Sequence, residues 1–494
     1  MTTTAPAPTT TAGAADARAR WLALLVLCLG DLMIVLDGTI VNVALPSIRD
    51  DLGFTETSLA WVVNAYLLTF GGFLLLGGRL GDLFGQRRMF LIGIALFTAA
   101  SLACGLAGTQ GLLVAARAIQ GFGGALVSAV ALSLIMTLFT EPAERAKAMG
   151  IFGFVLSGGG TAGVLLGGVL TDLFSWHWIF LVNIPVGVVV YLLSLRLLPS
   201  ERGVAEGGRL DVWGAVTVTA ALMLAVFAIV DGNEAGWGSA RTLGLLGGAV
   251  VMLIAFLVIE SRVTSPLVPL GLFRIRNVAS ANVVGVLMAG GLFAWFFFSA
   301  LYLQQILGYT PLEVGLAYLP SMIVWGGCSL ISDRIVMRFG FTAPLVAGLG
   351  LMAVGLLLFA RTPVDGNLAL DVIPGTIVIG LGAGIAFNPI LLAAMSGVGP
   401  TEYGLASGIV NTSFMMGGAL GLAVLASAAA ARTDSLTASG EPELEALNGG
   451  YHVAFMVGAA FTLVGALIAA LLIRAEAPSP AGEPAGEGTA AAPH

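Results

Sequence analysis

The chain has 494 residues, of which 58% are hydrophobic and only 10% charged, with a formal net charge of −7. Soluble chains run near ~45–50% and ~25%, so a water-soluble fold is excluded. The basic residues are twenty Arg and one Lys against 28 acids, a balance that leaves no nucleic-acid footprint.

A helix needs ~20 mostly apolar residues to cross a hydrocarbon core of ~30 Å. Stretches free of Asp, Glu, Lys and Arg predict fourteen spans, near residues 21–45, 58–78, 89–108, 112–138, 148–171, 178–198, 212–231, 242–260, 278–302, 313–332, 341–360, 372–396, 404–428 and 452–473. The seventh and eighth are the shortest and most closely bracketed by charge; a twelve-helix count would drop or merge them. With the N-terminus inside, sixteen basic residues fall on the inner side and four, Arg49, Arg241, Arg361 and Arg432, outside, with Arg117 within the fourth span. That bias is the positive-inside pattern, and it supports an even number of spans with both termini cytoplasmic. The expected class is therefore an all-α polytopic protein, multi-pass in the cell membrane. The preference for Arg over Lys hints at a bacterial source.

In chain order, residues 1–19, rich in Thr, Ala and Pro, read as a disordered cytosolic tail. The first span lacks a convincing small-residue cleavage site and reads as a retained anchor. Residues 20–198 hold a first six-helix unit, 199–276 a polar linker and two inserted helices, and 277–474 a second six-helix unit. Residues 475–494, rich in Ala, Pro, Gly and Glu, form a second tail.

No metal site is expected from three separate Cys (Cys28, Cys104, Cys328) and three scattered His (His177, His452, His494). The one Lys is followed by Ala148, so there is no GxxxxGK[ST] phosphate loop, and neither HExxH nor GxSxG occurs. An enzyme, a nucleotide and an organic cofactor are therefore not expected. A transporter, a channel or a scaffold remains, and no repeated filter signal favours a channel.

Ionisable residues at membrane depth discriminate further, because each costs a few kcal/mol and is functional by default. At ~1.5 Å per residue, Asp31 lies ~15 Å and Asp37 ~24 Å from the inner boundary. Arg117 enters from the other side to ~9 Å, which matches the depth of Asp37. Six residues turn Asp31 and Asp37 ~120° apart, so they should not share one face. Two readings of Asp37 and Arg117 stand open: a fixed ion pair tying two helices, or an acid whose proton affinity changes as the pair separates or becomes wet. For Asp31, a hydrogen-bonded acid near the inner vestibule stands beside a role in coupling or substrate binding.

The fifth span carries Gly159, Gly163 and Gly167 at four-residue spacing, a stripe for close helix approach, followed by Gly168. Static packing and a moving gate are both compatible with that spacing. Residues 77–88, GGRLGDLFGQRR, put one acid and three Arg in a short cytosolic turn that either latches helix ends or serves as an ordinary basic loop.

These motifs together resemble the major facilitator superfamily, and within it the fourteen-helix drug:proton antiporters. The resemblance rests on Gly78, Gly81, Asp82, Gly85, Arg87 and Arg88 in the second-to-third helix signature, on LDGTIVNVALPSI at 36–48, and on LVAARAIQGFGGA at 113–125. WHWIFLVNIP at 176–185 and GLASGIVNTSFMMGGALG at 404–421 add to it. One departure is Val164, where the antiporter signature has Pro after Gly163.

The resemblance implies two six-helix bundles, with two inserted helices, rocking in alternating access. It implies a proton-gradient-driven exporter of amphipathic drugs or other small organic molecules, with no cofactor, working as a monomer. A dedicated exporter of a secondary metabolite or lipid-like compound is the alternative, and a non-transporting sensor or scaffold is the alternative of another class. Asp37, Arg117 and Asp31 would couple protons. Gly78, Arg79, Asp82, Gly85, Arg87 and Arg88 would form the cytosolic gate, and Gly159, Gly163, Gly167 and Gly168 the fifth-helix antiporter motif. Asn42, Trp61, Tyr66, Trp295, Phe296, Tyr302 and Gln305 are the candidates for the substrate cavity.

Overall fold

In a computed structural model the described residues are 10–199, 211–264, 266–398 and 403–474, and they contain helices and no strand. The first six long helices are α1 (Thr10–Leu52), α2 (Glu56–Phe84), α3 (Gln86–Gly105), α4 (Gln110–Leu138), α5 (Pro142–Leu173) and α6 (Asn183–Leu197), the last preceded by one turn at Trp178–Leu181. Then come α7 (Val212–Ala235) and α8 (Ala240–Arg262). The second set is α9 (Arg276–Leu301), α10 (Pro311–Phe339), α11 (Thr342–Phe359), α12 (Ile373–Met395), α13 (Tyr403–Ala438) and α14 (Glu443–Leu472). Short π-helical turns at Tyr302–Ile306 and Leu368–Val372 extend α9 and precede α12.

Thirteen of these helices are long and apolar enough to cross a membrane, and α5, with its apolar stretch Ala162–Leu173, is the fourteenth. Helical geometry satisfies the backbone in lipid, since each helix closes its own hydrogen bonds. The far ends are capped by side chains. Thr55 and Ser58 form a capping box on α2, Thr310 and Glu313 another on α10, and Ser239 caps α8. Leu330, Met337 and Leu471, each more than 70% exposed, are the kind of surface that only a hydrocarbon solvent rewards.

Within the first half, α4 packs on α2 and α3, and α5 on α1. The second half matches this: α9 packs on α13 and α14, and α12 on α10 and α11. The halves meet along α2 with α13 and along α5 with α10, while α7 sits beside α2 and α13 and α8 packs on α7. At the two inter-half seams small residues bring backbones together, for a methyl group at Gly315 would lie 3.0 Å from the Val164 carbonyl oxygen. The fifth-span stripe, by contrast, packs within its own half. Gly159 meets Leu32 and Val35, Gly163 meets Thr39 and Leu36, and Gly167 meets Ile40, all on α1.

Several boundaries move. α1 begins at Thr10, inside the stretch assigned to a tail, whereas residues 1–9, 200–210 and 475–494 lie outside the described residues. α13 runs on to Ala438 and α14 starts at Glu443, so polar residues that read as loop extend both helices beyond the hydrocarbon core. The seventh and eighth spans are full helices of 24 and 23 residues, and the twelve-helix count falls. Residues 77–88 are not a loop: α2 continues to Phe84 and α3 begins at Gln86, with Gly85 alone (φ 95°) turning the chain between them. A positive φ is what a side chain resists, and it makes a one-residue joint workable.

A buried ion pair as the candidate functional site

The side chains of Asp37 and Arg117 meet inside the first half with 0% and 1% of their surface exposed. α1 supplies Asp37, and α4, running the opposite way, brings Arg117 to the same depth. Arg117 Nη1 donates to Asp37 Oδ2. The other carboxylate oxygen, Oδ1, accepts from Gln120 Nε2 at 2.7 Å and from Asn183 Nδ2 at 3.0 Å. One turn of α4 thus carries both the cation and an amide partner, because Arg117 and Gln120 are three residues apart.

The guanidinium is held equally closely. Arg117 Nη1 donates to Gln120 Oε1 at 2.7 Å and Nε donates to the Val62 carbonyl on α2 at 2.9 Å. Its carbon lies 4.3 Å from the Tyr66 ring centroid and 5.6 Å from that of Phe180, within the range where an aromatic face attracts a cation. Ser101 on α3 accepts from Gln120 Nε2 at 2.8 Å and from Asn183 Nδ2 at 3.5 Å. Trp176 Nε1 donates to Asp51 at 2.9 Å and anchors the turn that leads Asn183 into the site. Five helices therefore converge on one ion pair. A charge taken out of water is tolerable only when its lone pairs are met in this way.

Asp31, 2% exposed, lies nearer the N-terminal end of α1. Its Oδ1 accepts from Ser128 Oγ at 2.5 Å, and its Oδ2 has no hydrogen-bond partner among the described residues. The predicted separation of the two acids is only half right. They have different partners, yet both reach α4, because residues ~120° apart can flank one neighbouring helix.

The proposed gate residues lie around the α2 to α3 joint. Arg79, Asp82 and Arg88 are exposed, and Asp82 stands on the last turn of α2 rather than in a separate turn. Among the described residues no ion pair joins Asp82 to Arg79, Arg87 or Arg88. Arg87 instead donates to the Leu195 carbonyl at the end of α6, and Gln86 pairs with Ser133 of α4. Gly78 faces open space.

The predicted cavity residues do not gather in one place. Asn42 turns back to the carbonyls of Gly38 and Thr39, Trp61 packs half-buried against the core, and Tyr66 lies under Arg117. Trp295 and Phe296 pack against Tyr318 inside the second half, Tyr302 donates to the Pro363 carbonyl, and Gln305 accepts from Tyr451. A small crevice in the second half, with room for about one water, is lined by Gly285, Phe387, Ile390, Leu391, Val410, Asn411 and Phe414. An aromatic chain runs beside it, with Phe414 6.0 Å from Phe293 and 5.7 Å from Phe387, and Trp325 6.4 Å from Phe387.

The residues that sequence reasoning missed are amides and hydroxyls: Asn183 and Ser101 at the ion pair, Asn411 at the cavity. A neutral polar group costs less in lipid than a charge and so signals more weakly. Asn183 is nonetheless the single polar residue in WIFLVNIPVG, and it donates to a carboxylate. Asn183→Leu is expected to cost about 1.5–3 kcal/mol, the range for a hydrogen bond to a charged group. Thermal unfolding of the purified protein in detergent would register it, and an unchanged midpoint would remove Asn183 from the network.

The sequence profile described as Major Facilitator Superfamily matches residues 27–422. The chain belongs to this superfamily. Over 461 residues it is 41% identical to the "Puromycin resistance protein pur8" of Streptomyces alboniger, covering 92% of this chain and 91% of that protein. It is 38% identical over 453 residues to the "Cephamycin export protein CmcT" of Amycolatopsis lactamdurans, covering 91% and 92%. Among solved structures, an auto-inhibited POT family peptide transporter superposes with a TM-score of 0.67 at 16% identity, covering 95% of this chain and 99% of that one, which establishes the shared fold. The chain is a multi-pass protein of a bacterial cell membrane, and its superfamily is one of transporters.

Proposed function

We propose that the chain exports small amphipathic organic molecules in exchange for protons by alternating access, with its termini in the cytosol. The observation that carries the reading is the Asp37 and Arg117 pair, wholly buried, held by five helices and placed inside one of two bundles that would move against each other. A satisfied pair in a dry site is poised between two states. Separating the partners or wetting the carboxylate changes what it costs to leave Asp37 charged, and a transporter couples protons through such a change.

The glycine seams at α2 with α13 and α5 with α10 support movement between the halves, since contacts made by backbones leave few side chains to unlock. Phe387, Phe414 and Asn411, with Phe293 beside them, line a crevice with room for about one water in this state; alternating access would have to widen it before an apolar ring could enter. A driving force of ~150 mV delivers ~3.5 kcal/mol per proton, enough for a gradient of roughly 300-fold of a neutral substrate.

Reconstituted protein with an imposed pH gradient tests the reading. Accumulation of a fluorescent organic cation in inside-out-oriented vesicles should follow the gradient in the wild type and vanish with Asp37→Asn, measured below the unfolding midpoint of that variant because it strands the buried Arg117 charge. Substrate movement indifferent to the gradient, or coupled movement retained by Asp37→Asn, would sink the antiport mechanism.

A narrower reading, a dedicated exporter of one antibiotic, is favoured by the names of the two relatives, one a resistance protein and the other an export protein. A host stripped of its own exporters separates the two: protection against a single compound class supports the dedicated exporter, and protection against unrelated dyes supports broad efflux.

A further inference from the structure

Two more carboxylates are buried in this chain, far from Asp37 in sequence and on the inserted pair of helices. Asp211 is 4% exposed and Glu260 3%. Asp211 caps the start of α7, where its Oδ1 accepts from the Gly214 N–H at 2.7 Å. Glu260 stands in the last turn of α8, and its Oε2 accepts from the Val268 N–H at 3.2 Å. The remaining oxygens, Asp211 Oδ2 and Glu260 Oε1, have no donor among the described residues. They approach the same point beside the first turn of α7. Both crowd Gly214, where a Cβ would sit 2.5 Å from the first and 2.9 Å from the second.

Two carboxylate oxygens facing each other out of water repel if both groups are ionised. One proton between them removes the repulsion and supplies the donor that both lack. We propose that Asp211 and Glu260 share a single proton and form a second protonation site, separate from Asp37 and Arg117, that fastens the inserted helices to α2. The fastening is visible next to Val268. Leu267 packs with Leu76 of α2 and Ala215 of α7, with Phe73, Leu80 and Val268 around them. The proton holds the ends of α7 and α8 together, Glu260 holds the Val268 backbone, and Leu267 then stays seated on α2.

Among the described residues no other charge substitutes for the proton. Among the described residues of 263–269 none is ionisable, and on α7 the next acid is Asp231 near its far end. Arg262 on α8 and Arg79 and Asp82 on α2 are exposed, and no ion pair joins them to the buried acids among the described residues. Protonation favours the fastened state and rising pH, by leaving two anions, favours release.

The test needs no transport, so its outcome is independent of the antiport reading. Infrared difference spectra of the full chain in lipid nanodiscs, titrated across pH, should show the carbonyl stretch of a protonated carboxylic acid that disappears with either Asp211→Asn or Glu260→Gln. Spin labels at the exposed positions Phe84→Cys on α2 and Leu257→Cys on α8 should report a distance that lengthens as pH rises in the wild type. In Glu260→Gln that distance should stay short at every pH, because the amide donates to Asp211 without titrating. A band that survives both substitutions, a wild-type distance that is flat with pH, or an unreduced pH shift in Glu260→Gln would overturn the proposal. So would a band removed at fixed pH by a divalent cation and restored by chelation, which would make the pair a metal site. If a variant does not fold, the wild-type distance titration decides alone.

Discussion

Arg117→Met should leave a protein that is strongly destabilised, by about 3–5 kcal/mol, because it strands a buried carboxylate that has lost the one cation paired with it among the described residues. Asp37 would keep Gln120 and Asn183 as donors, but two amides do not neutralise a charge in a site with 0% exposure. The double variant Asp37→Asn/Arg117→Met should recover most of that loss, since neutral groups of similar volume fill the same space and the introduced amide still finds Gln120. Recovery of stability without recovery of gradient-driven transport is the informative combination. It separates a pair that merely ties α1 to α4 from one that carries the proton. Thermal unfolding in detergent measures the first quantity and vesicle uptake the second. A double variant that regains coupled transport would leave the pair a structural bridge, and equal stability of Arg117→Met and the wild type would contradict the buried geometry itself.

The pairing was legible in the sequence because depth is arithmetic. Counting ~1.5 Å per residue from each membrane boundary put Asp37 and Arg117 level, and the two side chains do meet. The number of spans was equally accessible, since charge-free length is imposed by lipid. The surrounding shell was not, because Ser101, Gln120 and Asn183 come from α3, α4 and α6, and no one-dimensional pattern reports which faces of three helices converge. Asp82 was misplaced for a related reason. A glycine-rich stretch with charges looks like a turn, yet Gly85 alone does the turning, and α2 simply continues beyond the bilayer. The cavity was the least legible part. Trp295 and Tyr302 have the right chemistry, but Trp295 packs into an aromatic cluster of the second half and Tyr302 commits its hydroxyl to Pro363.

The glycine motif of the fifth helix divides in the same physical terms. Gly159, Gly163 and Gly167 seat α5 on α1 within one half, which is the packing function, while Gly168 points to the other half. A methyl group at Gly168 would come 2.7 Å from the Pro311 carbonyl oxygen and 2.9 Å from Leu312 Cα, both backbone atoms at the start of α10 that cannot rotate aside. Gly168→Val should therefore wedge the α5 and α10 seam apart without disturbing the α1 packing, since those three glycines and their partners are untouched. In the alternating-access scheme the state with this seam closed is then lost, and transport should fall at least about tenfold, the effect of ~1.4 kcal/mol against one of two states. Stability in detergent should change far less than for Arg117→Met. A labelling reagent applied to Leu312→Cys should react faster in the Gly168→Val background than alone, reporting the opened seam. Transport at the wild-type rate with unchanged labelling would show that the two halves do not use this contact to close.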